Sequence, residues 1–210
     1  MSSKDLNEIL NKSNSDIGFN STRGSSKNNL LIFGLSNPDI KESNFICDAY
    51  MYRDIVKKNS KNCIGKILNS KDTTKSIEEF DFVLIDNTKN VNFNVFSYEK
   101  SIGLMISDKI NDERKDTIEN FEFDFLIYDQ KIDSYTNFED MLTVKDMINS
   151  IRSNWFLNIK TPRLEDIDFQ YIFDIGFTGI IIDLLDISSK KFKEITSKLN
   201  KLEVRKSGKF

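Results

Sequence analysis

The sequence predicts an α/β protein folded as a small, somewhat degenerate (β/α)8 barrel. Eight short apolar runs of β type alternate with polar or helical segments, and no two-residue Asn-Gly or Asp-Gly hairpin turn joins one to the next. Strands separated by helical crossovers pair in parallel, with right-handed connections. A repeat sharpens the prediction. FDFVLID (80–86) and FDFLIYD (123–129) are near copies 43 residues apart, and GFTGIIID (176–183) is a looser third. Between the copies lie strands of another type, IGLMIS (102–107) and WFLNIK (155–160). A two-strand unit continued around a sheet closes into an eight-stranded barrel. An open doubly wound sheet needs a topological switch point and usually a glycine-rich first turn, and the sequence shows neither. At 210 residues the chain is short for a barrel, so its early helices are expected to shrink to a turn or two.

Residues 1–29 form a polar N-terminal extension, rich in Ser, Asn and Lys. Leu6, Ile9 and Leu10 fall at helical spacing, which predicts a short helix over 4–12. STRGSSKNN (21–29) reads as a loop, and 17–20 as a short first strand. The barrel domain is expected over 30–202. Its strands are placed at LLIFG (30–34), DAYMY (48–52), CIGKIL (63–68), FDFVLID, IGLMIS, FDFLIYD, WFLNIK and TGIIID (178–183). With 17–20 included, nine candidates compete for eight places. One helix is expected over 108–121, charged, with Ile118 and Phe121 near its end. A second, over 137–152, carries Val144, Met147 and Ile151 behind a Thr136-x-x-Glu139 capping box. A third, over 163–174, follows Pro162, and a fourth, over 188–202, sets Phe192, Ile195, Leu199 and Leu202 on one stripe. Residues 203–210 are a basic tail.

Composition removes several classes of function. Hydrophobic residues make up 39% and charged residues 30%, enough apolar side chain for a sizeable core. No apolar run approaches the roughly 20 residues that span a bilayer, and no charged-then-apolar N-terminal segment reads as a signal peptide. No membrane partner is therefore expected, and the chain reads as cytoplasmic. The net charge of −3 gives no reason to expect nucleic acid as a partner. Residues 190–210 do hold eight Lys or Arg against two Glu, but without aromatic interleaving they read as a solvated helix end. Cys47 and Cys63 are too few for a disulfide framework and lack metal-site spacing. Histidine is absent, which removes the commonest general base, the commonest metal ligand and every imidazole-dependent triad. The chain holds 27 Ile, 24 Lys and 22 Asn against one Ala, the bias of A/T-rich codons, so a single Lys or Asn is weak evidence of function.

The strands FDFVLID and FDFLIYD, each an aspartate followed by an apolar run ending in aspartate, resemble the GADFVV-type strands of aldolase-type TIM barrels. FDIGFTGIIIDL (173–184) resembles the late GADGVIV-type strand of the same superfamily. The resemblance covers about 62–185 and extends to small bacterial barrel proteins with no activity attached. It implies a TIM-type barrel with its site at the C-terminal mouth. Phe80 and Phe123 stand where small residues normally precede these strands, which implies relaxed packing there.

Side chains alternate along a strand, so faces can be assigned. In WFLNIK the apolar Trp155, Leu157 and Ile159 should meet the helices, which puts Asn158 and Lys160 inside and Lys160 at the C-terminal mouth. Asp86, Asp129 and Asp183 close their own strands at the same end. A lysine among carboxylates suits Schiff-base chemistry, in which the amine attacks a carbonyl and a carboxylate shuttles protons. Class I aldolases carry such a lysine on a late strand, which casts Lys160 as nucleophile and Asp129 or Asp183 as acid/base. The plainer reading is an ion pair that closes the barrel top. The aspartates could instead form an oxygen-only cation site, but capping of the following helices is the favoured reading because it needs nothing more from the sequence, and no metal or cofactor is expected.

The turns TPRLED and LLDISSKK after the last two strands lack the glycines of a phosphate site. Lys66 interrupts the apolar run CIGKIL, so it either reaches the interior to pair with a strand-end aspartate or marks an edge strand. Asp86, Asn158 and Lys66 are the candidate binding residues. The lack of histidine and of a phosphate loop favours a non-catalytic or weakly catalytic barrel that binds a small molecule at its mouth or serves as an interaction module. The alternative is a Schiff-base lyase for an unphosphorylated carbonyl compound.

Overall fold

The computed structural model describes residues 5–14, 30–54, 62–97, 99–106, 110–129, 138–160 and 167–203. Eight parallel strands close into a barrel in chain order: β1 (Leu31–Ser36), β2 (Ala49–Tyr52), β3 (Cys63–Ile67), β4 (Phe82–Ile85), β5 (Ser101–Ile106), β6 (Phe125–Tyr128), β7 (Asn154–Ile159) and β8 (Gly179–Asp183). β8 closes on β1 through Leu31↔Gly179 to Leu35↔Asp183. All eight predicted runs are strands of this barrel. The ninth candidate, 17–20, lies outside the described residues, and the ring closes without it.

The helices are α1 (Leu6–Asn14), α2 (Thr74–Ile77), α3 (Asp112–Asn120), α4 (Phe138–Ser150), α5 (Phe169–Ile175) and α6 (Ser189–Leu199). Among the described residues the first half of the barrel is thinly covered, as its short connections dictate. The β1–β2 connection holds one 3-10 turn, Glu42–Asn44, and β3 is followed only by the single turn of α2. The β4–β5 connection has two 3-10 turns, Thr88–Asn90 and Phe93–Ser97, in place of an α-helix. α5 starts six residues later than Pro162 suggested, because Asp168 caps it by accepting from the backbone N–H of Gln170 (3.0 Å) and Tyr171 (3.3 Å). It ends at Gly176, whose φ of 113° is the left-handed cap that glycine supplies most readily. α3 likewise begins at an Asn111 cap, so its predicted start at 108 moves inward. Pro162 and the Thr136 half of the expected capping box lie outside the described residues.

Alternation along the strands splits the core in two. Outward residues such as Ile64, Val83, Leu126, Trp155 and Ile180 meet the helices. Inward residues fill the barrel, and Leu6, Ile9 and Leu10 of α1 join them. Phe33, Phe82, Phe125 and Phe156 pack against one another inside, with neighbouring ring centroids 4.3 to 5.9 Å apart. Each faces a small residue on the adjacent strand: Phe33↔Ala49, Gly65↔Phe82, Gly103↔Phe125 and Phe156↔Gly179. The small partner is obligatory. A Cβ on Gly65 would sit 2.2 Å from the Phe82 ring, and one on Gly103 would sit 2.1 Å from the Phe125 ring. The barrel is thus four two-strand units, each with one large and one small residue at this position. Phe80, expected to loosen the packing, is buried at 1% exposure.

The leading aspartate of the first three units has a structural task at the N-terminal end. The Asp48 backbone N–H donates to the Ile32 carbonyl (2.9 Å), and the Asp48 carboxylate accepts from the Ile32 N–H (2.9 Å). Asp81 does the same with Ile64, and Asp124 with Ile102. In the fourth unit Thr178 keeps only the backbone half, donating to the Trp155 carbonyl at 2.7 Å. Burial pushes the Asp124 carboxyl above the usual carboxylate range. The N–H bonds from Ile102 and from its own backbone offset this in part, and the Asp5 carboxylate adds to it. A carboxyl raised on folding favours the native state when protonated, so wild-type stability falls as pH rises above the unfolded value of about 4. Asp124→Asn keeps an acceptor for Ile102 without the charge. It is expected to match wild type in urea denaturation near pH 3.5 and to exceed it at pH 7; lower stability at pH 7 would refute this origin of the shift.

Candidate functional site

The C-terminal ends of the strands carry the groups on which chemistry can be built. The inward alternation of β7 runs Asn154, Phe156, Asn158 and leads to Lys160, while Trp155, Leu157 and Ile159 face the helices. Asn158 donates from Nδ2 to Asp129 Oδ1, and Lys160 Nζ lies 3.9 Å from the same oxygen. Asp129 is largely buried, with 19% of its side chain exposed, whereas the Lys160 side chain is 59% exposed. These three candidates come together as one cluster.

The other two aspartates are engaged elsewhere. Asp183 Oδ1 accepts from the Leu185 N–H at 3.0 Å, which fixes the turn leaving β8. Asp86 Oδ2 is held at 2.8 Å by Arg53, whose side chain reaches across from the end of β2. Among the described residues, no group of three His, Cys, Asp or Glu side chains is placed to hold a metal ion. The barrel-facing positions beneath the ring include the aliphatic Leu35, Ile67 and Met105.

Lys66 adopts neither of its predicted placements. It lies on the outward face of β3 with Ile64, buried to 1% exposure, and so it is not a mouth residue. The chain there leaves room for an ammonium because three acceptors converge. Nζ donates to the Arg53 carbonyl at 2.5 Å and to the Ile67 carbonyl at 2.9 Å, and it pairs with Asp72 at 3.2 Å. Those three contacts match the three donors of the ammonium. β3 is not an edge strand, since it pairs with both β2 and β4.

Sequence reasoning passed over Arg53. A signal for it existed: in DAYMYR (48–53) the arginine stands at the position that Asp86, Asp129 and Asp183 occupy in the other three units. It also passed over a cleft of about 630 Å³ beside the mouth. That cleft runs between the ends of β4 and β5 and the first turns of α3, with Asp86, Lys89, Met105, Asn111 and Arg114 among its walls. Neither cysteine adds a nucleophile. Cys63 is buried in the barrel, and burial, with the charges of Asp48 and Glu42, pushes the Cys47 thiol far up from its ordinary value.

No protein-family model matches the chain, and no curated protein is similar to it in sequence. Solved structures do match in fold. Tryptophan synthase from M. tuberculosis superposes with a TM-score of 0.59 at 8% identity, over 95% of this chain and 98% of that one. Thiamine phosphate pyrophosphorylase from Pyrococcus furiosus gives 0.53 at 10% identity, over 83% and 99%. A 3-hexulose-6-phosphate synthase gives 0.53 at 7% identity, over 81% and 100%. The chain therefore shares the (β/α)8 barrel fold of these proteins, and identities this low carry the fold alone.

Proposed function

We propose that this chain is a barrel that binds a small molecule at its C-terminal end and performs no Schiff-base step. The cleft over Asp86 and Met105 carries this reading. Its volume of about 630 Å³ falls in the roughly 300–1,000 Å³ range of ligand pockets. Its described lining joins five apolar side chains to six polar or charged ones, so groups able to orient a polar ligand are at hand. None of Lys160, Asn158, Asp129 or Asp183 lines it. The test is a fragment panel read on the Met105 methyl signal by NMR. Several polar fragments are expected to move that signal in a saturable way; a signal that no fragment moves would end the reading.

One observation favours the lyase as a second reading, the Lys160–Asp129 approach of 3.9 Å. In that scheme the amine adds to a carbonyl carbon, water leaves, and Asp129 relays the protons. Nucleophilic lysines work in desolvated pockets or beside another cation; Lys160 is 59% exposed and its neighbour is a carboxylate. Borohydride reduction with small aldehydes and ketones, followed by peptide mapping, is expected to label Lys160 no more than other exposed lysines. Selective trapping there would replace the binding reading with the lyase.

A further inference from the structure

We infer that the barrel carries a second small-molecule site, outside β4 and β5, that takes a single uncharged aromatic ring. The β4–β5 connection crosses the outer face of the barrel as two 3-10 turns rather than an α-helix. A pocket of about 180 Å³ lies between those turns and α3. It shares Thr88, Leu104, Arg114 and Ile118 with the larger cleft but has a wall of its own in Phe96, Phe121 and Phe123. The site does not depend on a ligand in the cleft.

Three observations select the occupant. The first is size: an apolar cavity of roughly 150 Å³ is enough to hold benzene, and this pocket is slightly larger. The second is composition. Eight of its twelve described lining residues are apolar, against five of eleven in the cleft. An ionised group would lose hydration there, and the ionisable side chain in the described lining, Arg114, is solvent-exposed, where an ion pair contributes little. The third is that the aromatic wall is open to solvent. Phe121 is 44% exposed, and Phe96 and Phe123 are half-buried. The three ring centroids lie 5.1, 5.9 and 6.2 Å apart in tilted and edge-on arrangements, which an added ring extends by the same offset and edge-to-face contacts. Phe121 and Phe123 flank Glu122, which turns the chain with a φ of 51°. Left-handed backbone is uncommon away from glycine and concentrates at functional sites; here it sets two of the three rings side by side.

The test titrates toluene, methylcyclohexane and benzoate against the whole chain and reads the Val91 methyl signals, since Val91 lines this pocket and not the cleft. The Met105 methyl signal reports the cleft. Toluene is expected to saturate the Val91 shift at lower concentration than the other two, and before Met105 moves. Phe121→Leu keeps an apolar side chain but removes a ring–ring contact, and should weaken toluene about two- to tenfold. Thr117→Trp fills the pocket from an exposed position on α3 and should abolish the Val91 response. Lys193→Gln, a remote control on α6, should match wild type. Equal or tighter binding of methylcyclohexane or benzoate, a Val91 signal that toluene does not saturate, or an unchanged titration in Phe121→Leu or Thr117→Trp would overturn the aromatic site. Phe121→Leu decides the case by itself if Thr117→Trp fails to fold. A toluene response confined to Met105 would overturn this site and leave the binding cleft standing.

Discussion

Phe156→Ala is expected to cost about 3–5 kcal/mol, enough to leave a domain of ordinary stability largely unfolded on mild warming. Phe156 is fully buried, stacks 4.3 Å from Phe33 and meets Phe125 edge-on at 5.8 Å. Its register partner on β8 is Gly179, which has no side chain to fill the hole. The reverse error should be felt as well. Gly103→Ala puts a methyl 2.1 Å from the Phe125 ring, an overpacking worth about 1–3 kcal/mol. Trimming the ring makes room, so Gly103→Ala with Phe125→Leu is expected to lose less than the two single changes summed. Urea denaturation of the four proteins in that cycle is the measurement. Strict additivity would show that the large-and-small pairing is not what specifies the interior.

Lys66→Met is the second large effect, an expected loss of about 3–5 kcal/mol. Removing one partner of a buried pair leaves the other's charge uncompensated, here Asp72, 9% of its side chain exposed and then held, among the described residues, only by the Asn69 N–H and the Ser76 hydroxyl. The carbonyls of Arg53 and Ile67 lose a donor at the same time. Lys66→Met with Asp72→Leu removes both charges and should recover part of the loss, since a buried ion pair seldom outweighs apolar packing of the same volume. Thermal unfolding of the single and double variants decides it. A Lys66→Met protein as stable as wild type would mean that the ammonium is solvated and contributes nothing.

Much of this architecture was legible in the residues, and particular positions show why. The copies FDFVLID and FDFLIYD exposed the two-strand unit because interior packing repeats with it: each copy sends its second Phe inward against a glycine. The strand runs were visible because a parallel barrel strand is buried on both faces and reads as a continuous apolar stretch. The first unit was harder to see. LLIFG and DAYMYR put the large member first, Phe33 before Ala49, so they do not resemble FDFVLID and FDFLIYD letter by letter. The chain's single alanine is that small member, a place where codon bias did not prevail. The leading aspartates were noticed only as part of the repeat. Their bonds to the preceding strand exist only once two strands lie side by side.

The sequence by itself determined the class, the strands and the closure, because periodicity and repetition are local properties of a chain. It also set which residues reach the C-terminal end, since strand alternation fixes the face of Asn158, Asp129 and Asp86. Which of those residues meet was decided only by the tertiary structure. Barrel closure with its stagger brought Asn158 and Lys160 to Asp129, and Arg53 to Asp86, across 29, 31 and 33 residues of chain respectively. The same closure turned Lys66 outward onto Asp72, and the shortened β4–β5 connection left the cleft beside α3. Pairings between side chains far apart in sequence depend on register and loop path, and neither is written in the local pattern.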